Sequence, residues 1–146
     1  MITNVYNNLK NLIATELGSD YQELTHVFDI AKNRFAGSKK AYGLLPAANS
    51  EASGVTKTNT FDQGFSIVLA DSYITDAISD SELITKTLVM LEKLEELFKK
   101  IVVEKAGTPL SVINVSSFSV DSAVVAREDK VIVVEASFDI RMEVAL

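Results

Sequence analysis

The stretch from Asp80 to Ala106 constrains the fold most, because it has the features of one long amphipathic helix. Ser79 is placed to cap the first turn, with Glu82 three residues later as in a capping box. Gly107 and Pro109 cannot continue a helix. Apolar residues at three- and four-residue steps predict one buried stripe that a sheet or another helix must cover. Its predicted members are Ile84, Leu88, Leu91, Leu94, Leu97, Phe98, Ile101 and Val102, with Leu91 and Phe98 at the centre.

The opposite face of this helix is charged. Glu95–Lys99 and Glu96–Lys100 are each spaced i,i+4 in the favourable order. Each such pair contributes only about 0.2–0.5 kcal/mol. The buried stripe must therefore dominate the stability of the helix.

The N-terminal part of the chain is less regular. Residues 3–17 predict a first helix that ends at Gly18. We expect a short extended or helical piece near 24–30 and a turn around 33–40. A strand follows over 41–45, and Pro46 would end it or place it at a sheet edge.

Residues 47–59 are small and polar and have no hydrophobic face to bury. This composition predicts a long, flexible loop between two strands. The loop could be a passive connector, or an arm that becomes ordered against a neighbouring subunit or partner.

Three further strands are predicted, over 61–73, 111–120 and 131–144, with a polar turn at 127–130 between the last two. The last strand alternates most plainly, so one face belongs to a core and the other to water or a polar partner. Its apolar face is Val134, Ala136, Phe138, Ile140, Met142 and Val144, and its polar face is Glu135, Ser137, Asp139, Arg141 and Glu143.

These elements predict a single α+β domain over residues 1–146 in the order α-β-β-α-β-β. We expect a mostly antiparallel four-stranded sheet, with the N-terminal helix and the long central helix packed on one face. A chain of 146 residues is long enough to bury a core of this kind.

The bulk composition excludes several classes of function. The net charge of −6 argues against a general phosphate-backbone binder. The absence of cysteine excludes disulfides and thiolate chemistry. No segment approaches the roughly 18 apolar residues of a membrane span, and no signal peptide is recognisable, so we expect a soluble protein made in the cytoplasm.

No catalytic, metal-binding or cofactor-binding motif is recognisable. His26 is the only histidine and has no second ligand with which to share a metal. Asp71, Asp76, Asp80 and Glu82 lack the spacing of a calcium loop, and helix capping explains the last two more simply. Glycine-rich phosphate loops and nucleophile elbows are also missing. We therefore expect neither an enzyme nor a cofactor.

The order of elements resembles a known family. Residues 41–46, then a loop, then Thr60 to Leu69 look like the first hairpin of tail terminator (tail-completion) proteins of long-tailed bacteriophages. The long Leu-rich helix and a closing strand like Val131 to Ile140 follow in the same order in that family. The resemblance covers roughly residues 28 to 142 and consists of element order and loose patterns.

The resemblance implies a structural virion protein at the tail–neck junction, assembled in the host cytoplasm. Such proteins form a hexameric ring at the head-proximal end of the tail tube, end tube polymerisation and give the neck a docking surface. The implied partners are further copies of the chain, the tail tube protein and a neck or head-completion protein, while genome DNA passes through the lumen without specific binding. Candidate assembly contacts, by analogy, are Asn49, Glu51 and Lys57 in the loop and Glu135, Asp139, Arg141 and Glu143 on the last strand.

Two alternatives remain open at this point. The chain could be another neck or head-completion connector of the same virion, or a non-viral small binding module. A binding module would have an apolar pocket and would be a monomer or dimer.

Overall fold

The computed structural model describes residues 2–25, 40–55, 58–73, 77–104, 112–126 and 129–145, and the side chains of 48–55, 58–59, 112–113 and 143–145 are outside that description. Two helices, α1 (Ile2–Leu17) and α2 (Asp80–Glu104), accompany five strands. The strands are β1 (Tyr21–Glu23), β2 (Lys40–Val55), β3 (Thr58–Ser72), β4 (Val112–Ala126) and β5 (Val131–Ala145).

The sheet is mixed, with the strand order β1-β2-β3-β5-β4. β1 is parallel to β2, while every other neighbouring pair is antiparallel. The predicted α+β class is confirmed, but the predicted four-stranded sheet lacks β1. Three residues are too few to show an alternation, so β1 left no periodic signal in the sequence.

The predicted 47–59 loop is wrong for the residues that the structure describes. β2 continues to Val55 and β3 begins at Thr58, with Val55 opposite Thr58. Small polar residues can form strands when a neighbouring strand supplies their hydrogen bonds, and β5 pairs with β3 along the whole of this extension. Pro46 does not end β2, which was one of its two predicted effects. Among the described strands it lies at a sheet edge, which was the other, because β1 pairs with β2 only as far as Tyr42. The register of β2 and β3 shifts just after Pro46.

The main core lies between one face of the sheet and both helices. α1 contributes Val5, Leu9, Ile13 and Leu17, and Leu12 packs against them. The sheet contributes apolar side chains from β3 and the predicted inward face of β5.

Gly18 lies at the C-terminal end of α1. It has a φ of 77°, and its N–H donates a hydrogen bond to the Ala14 carbonyl at 3.0 Å. This left-handed residue ends the helix, as predicted.

α2 begins where predicted, but the helix is rotated about its axis, so that the face it buries differs from the predicted stripe. The Ser79 hydroxyl accepts a hydrogen bond from the Glu82 N–H at 3.2 Å, which confirms the cap. The fully buried residues are Leu83, Met90, Leu94, Leu97 and Ile101, and Leu91 and Phe98 are partly buried. Ile84 and Leu88 are 59% and 54% exposed, and Val102 is also exposed, so their predicted burial is wrong.

The rotation has a simple cause. α2 carries two overlapping apolar stripes, and the one that contains Leu83 and Met90 faces the sheet. Of the predicted charge pairs, Glu95–Lys99 forms at 3.1 Å. Lys100 contacts Glu104 at 2.9 Å instead of the predicted Glu96. All of these pairs are solvent-exposed and add little to stability.

Candidate assembly surfaces

The first candidate surface is the hairpin formed by the end of β2 and the beginning of β3. Asn49 and Glu51 belong to β2, where Glu51 lies opposite Asp62. The positions of their side chains, and all of Lys57, lie outside the described residues. The structure therefore brings Asn49 and Glu51 onto an extended strand rather than a loop.

The second, here called the polar face, is the polar part of the sheet surface opposite the helices. The end of that surface near β1 carries a small apolar cluster of Leu24, Ala41, Val68, Ala70 and Val131. Glu135, Asp139 and Arg141 lie on the polar face along β5, as the alternation predicted, while Phe138 and Ile140 point into the core. The backbone of Glu143 continues the strand, but its side chain is not described.

A bidentate ion pair crosses this polar face from β5 to β3. Arg141 donates from Nε to Asp62 Oδ1 at 2.8 Å and from one terminal nitrogen to Oδ2 at 3.0 Å. The hydrogen bonds from Arg141, with its charge, hold the pKa of Asp62 below its ordinary value. The sequence indicated Arg141 but gave no sign of Asp62, because pairing across strands depends on register.

The same face carries a second cross-strand contact. The Ser137 hydroxyl donates to Asp121 Oδ1 at 3.2 Å and links β5 to β4. With Arg141 engaged by Asp62, the carboxylates of Asp121, Glu135 and Asp139 give the polar face a negative charge.

The third surface is apolar and was not predicted. A cleft of about 350 Å³ lies between the first turns of α2 and the end of β4. Its lining residues are Asp80, Leu83, Ile84, Thr87, Leu88 and Val125. Val89 of α2 is also exposed. Ile84 and Leu88 were assigned to the core from the sequence, and their exposure creates this cleft.

Asp71 is a buried carboxylate at the end of β3 beside α2. Its side chain is 9% exposed and lies 3.9 Å from Lys86 Nζ. Burial raises the pKa of Asp71 above its ordinary value, although Lys86 and Lys40 act in the opposite direction. This long ion pair links β3 to α2, and no histidine, cysteine or further carboxylate joins it in a metal-binding group within the described part of the chain.

Within the described ranges, no group of three or more His, Cys, Asp or Glu residues could hold a metal ion. His26 and Asp76 lie outside them. Neither described helix is long and apolar enough to cross a membrane.

Comparisons with known proteins give structural likenesses but no family. No protein-family model matches the chain, and no curated protein matches it either. Among solved structures, the chain is similar to a chain from a virion of a native gene transfer agent particle. That likeness has a TM-score of 0.47 and 12% identity, and covers 96% of this chain and 92% of the other. At that level of similarity we take no function from it.

Proposed function

We propose that this protein is a structural component of a phage-like virion, and specifically a subunit of the ring that ends the tail tube at its head-proximal end. The sequence resemblance to tail terminator proteins supplies the class. The structural observation that carries the proposal is the concentration of uncovered surface suited to contact with other proteins.

That surface has an apolar part and a polar part. Ile84, Leu88 and Val125 are large apolar side chains left exposed around one cleft. Exposed apolar clusters on soluble domains mark sites of protein association more often than chance. The hairpin of β2 and β3 and the polar face of β5 then provide separate contacts for the tail tube and for the neck.

The negative polar face is compatible with a lumen through which DNA must slide. Counterion release by Lys and Arg provides most non-specific affinity for DNA. The one described cation on this face, Arg141, is engaged by Asp62. A surface of this kind would let a genome pass without retaining it.

The test is electron microscopy of the purified protein, alone and mixed with tail tubes assembled from the tube protein of the same genome. Six-fold rings, or density that caps tube ends, are expected. A protein that stays monomeric and ignores tubes would contradict the proposal. Density on a portal ring instead of on tubes would indicate the alternative neck or head-completion connector.

Charge-reversal variants sharpen this test. Glu51→Lys, Lys57→Glu and Glu135→Lys each alter a proposed contact, and we expect a folded protomer that caps fewer tubes. Glu95→Lys is the matched control, because Glu95 is 60% exposed on the outer face of α2, away from these contacts. Equal capping by all four variants would remove these residues from the contact surface.

The cleft favours a second candidate, a small binding module. Its apolar lining and volume of about 350 Å³ are in the range of small-molecule sites. A screen of apolar ligands by thermal shift would test this, with Leu88→Glu as the blocking variant. Saturable binding that Leu88→Glu abolishes, in a protein that never forms rings, would favour the module.

A further inference from the structure

A groove separates the beginning of α2 from the end of β4. The two elements run in opposite directions: Phe98 in the second half of α2 stacks on Phe118 of β4 at 4.6 Å, while Leu88 in the first half lies beside Val125. The helix therefore covers β4 closely at Phe118 and leaves it open at Val125. Val120 and Val125 both point to the helix side of β4, and they are 45% and 37% exposed.

The groove is bordered by a strand edge. No described strand lies beyond β4 on this side of the sheet. Its register with β5 shifts at three places up to Ser122, but the stretch from Ser122 to Ala126 is regular. That stretch has no charged residue and no proline, and Val124 within it is 52% exposed. Natural edges are usually protected by charge, proline or bulges, so this stretch is suited to receive another strand.

A strand added to this edge would continue both faces of the sheet, because side chains alternate between the two sides of a strand. On the helix side, its side chains would enter the apolar cleft of α2. On the other side, they would lie beside acidic groups. Asp121 is exposed there, with Ser137 as its hydrogen-bond partner, and Glu135 lies opposite Ser122 one strand further in. The edge is therefore complementary to a strand with one apolar face and one basic face.

We propose that an extended segment of another protein, in which apolar residues alternate with Lys or Arg, binds at this edge as an added strand. It pairs with β4 along Ser122–Ala126, places an apolar side chain beside Val125 and directs its cations towards Asp121 and Glu135. In strand addition of this kind, backbone hydrogen bonds provide affinity and the pockets for alternate side chains provide specificity.

The charges favour another protein over a second copy as the occupant. A second copy that presented its own β4 would set two negatively charged polar faces side by side, whereas a basic segment offsets the charge. The inference goes beyond the ring proposed above and does not depend on it.

The test uses a capped peptide of about eight residues in which valine and lysine alternate, a length within the range of natural strands. Titration calorimetry with the full chain should show saturable binding of one peptide. A peptide of the same composition, with the valines and the lysines in two separate blocks, should not bind. Equal binding of the two peptides would reduce the interaction to unspecific charge attraction and overturn the proposal.

Backbone methylation distinguishes strand pairing from simple occupation of the cleft. The N–H groups of alternate residues in a strand point to the same edge. One peptide is therefore N-methylated on every valine and another on every lysine. One of the two should lose binding and the other should retain it. Binding that survives in both forms, or in neither, would contradict pairing with β4.

Protein variants locate the site. Val125→Lys and Leu88→Lys each place a charge on one wall of the cleft and should weaken binding by about tenfold or more. Val103→Lys is their matched control, because Val103 is 79% exposed at the other end of α2. Asp121→Asn should weaken binding by about threefold, whereas Glu95→Gln, on the outer face of α2, should leave it unchanged. Equal affinities in all five variants would remove the site from this edge. Urea unfolding checks that each variant is folded.

Two further outcomes decide the occupant. A wild-type chain that ignores the alternating peptide and forms a dimer, which Val125→Lys abolishes, would assign the edge to a second copy and overturn the proposal. The ring is tested separately by the capping of tubes. Failure of peptide binding leaves the ring intact, and absence of rings leaves this binding site intact.

Discussion

Arg141 and Asp62 form a two-bond ion pair across the middle of the sheet, with N–O distances of 2.8 and 3.0 Å. The two residues lie directly opposite each other in the register of β3 and β5. The pair therefore depends on that register, and its energy depends on the ionisation of Asp62.

Replacing Asp62 by Asn should lower the free energy of unfolding at pH 7 by less than about 1 kcal/mol, because the pair is partly exposed to solvent. The pKa of Asp62 is lowered in the folded protein. Its contribution is therefore present above the unfolded value of about 3.9 and is lost as the pH falls through the lower folded pKa. Urea unfolding of both proteins from pH 7 to pH 2.5 measures this. A difference that persists undiminished at the lowest pH would contradict the prediction.

Asp71 should behave in the opposite way. Burial raises the pKa of Asp71. The ionised carboxylate therefore destabilises the folded state at pH values above that pKa. This destabilisation disappears as the pH falls below the unfolded pKa of about 3.9. Asp71→Asn should therefore raise the stability at pH 7, with a gain that shrinks as the pH falls towards 4. Urea unfolding measures the gain, and Lys86→Gln, which leaves the carboxylate buried with less compensation, should lower the stability. A loss of stability in Asp71→Asn at pH 7 would show that the contact with Lys86 outweighs burial.

The rotation of α2 predicts a contrast between two leucines. Leu94 is fully buried, and Leu94→Ala should cost about 2–5 kcal/mol. Leu88→Ala is the matched control: Leu88 is 54% exposed, and the change should stay within about 0.5 kcal/mol. Chemical denaturation of both variants checks this. Equal losses would mean that α2 faces the sheet with the originally predicted stripe.

Gly18 should resist replacement by any residue with a Cβ atom. At a φ of 77°, other L-residues are strained, by roughly 1–2 kcal/mol for most of them. Gly18→Ala should lower stability by about that amount, and Gly18→Asn by less, because Asn tolerates the left-handed region better. No heavy atom lies within 4 Å of the added Cβ, so a loss would arise from the backbone rather than from a clash. Equal thermal stability of the Gly18→Ala variant and the wild-type protein would argue against a left-handed residue at this helix end.

Local patterns predicted most of the fold. α1 ends at Gly18 and α2 begins after the Ser79 cap, both as predicted, and the alternation of β5 gave the faces of its described side chains correctly. The prediction of a loop over 47–59 was wrong because the strand conformation depends on pairing with β3 and β5, which the local composition does not show. The predicted burial of Ile84 and Leu88 was wrong because α2 has two apolar stripes, and only packing determines which of them faces the sheet.

The candidate surfaces were less predictable than the fold. Glu135, Asp139 and Arg141 could be found because alternation alone decides which face of a strand they occupy. The partner of Arg141 and the cleft at Val125 both depend on which elements become neighbours. That information lies in long-range pairing rather than in any local stretch.

The pairing of β3 with β5 has a consequence for synthesis in the cell. β3 is paired with β5 along its whole length, yet α2 and β4 lie between them in the chain. During translation, the strand at the middle of the sheet leaves the ribosome well before its partner exists. Contacts so distant in sequence form slowly, and the apolar side chains of β3 stay exposed in the meantime. The nascent chain should therefore be most prone to aggregation, and most dependent on chaperones, in the interval before β5 emerges.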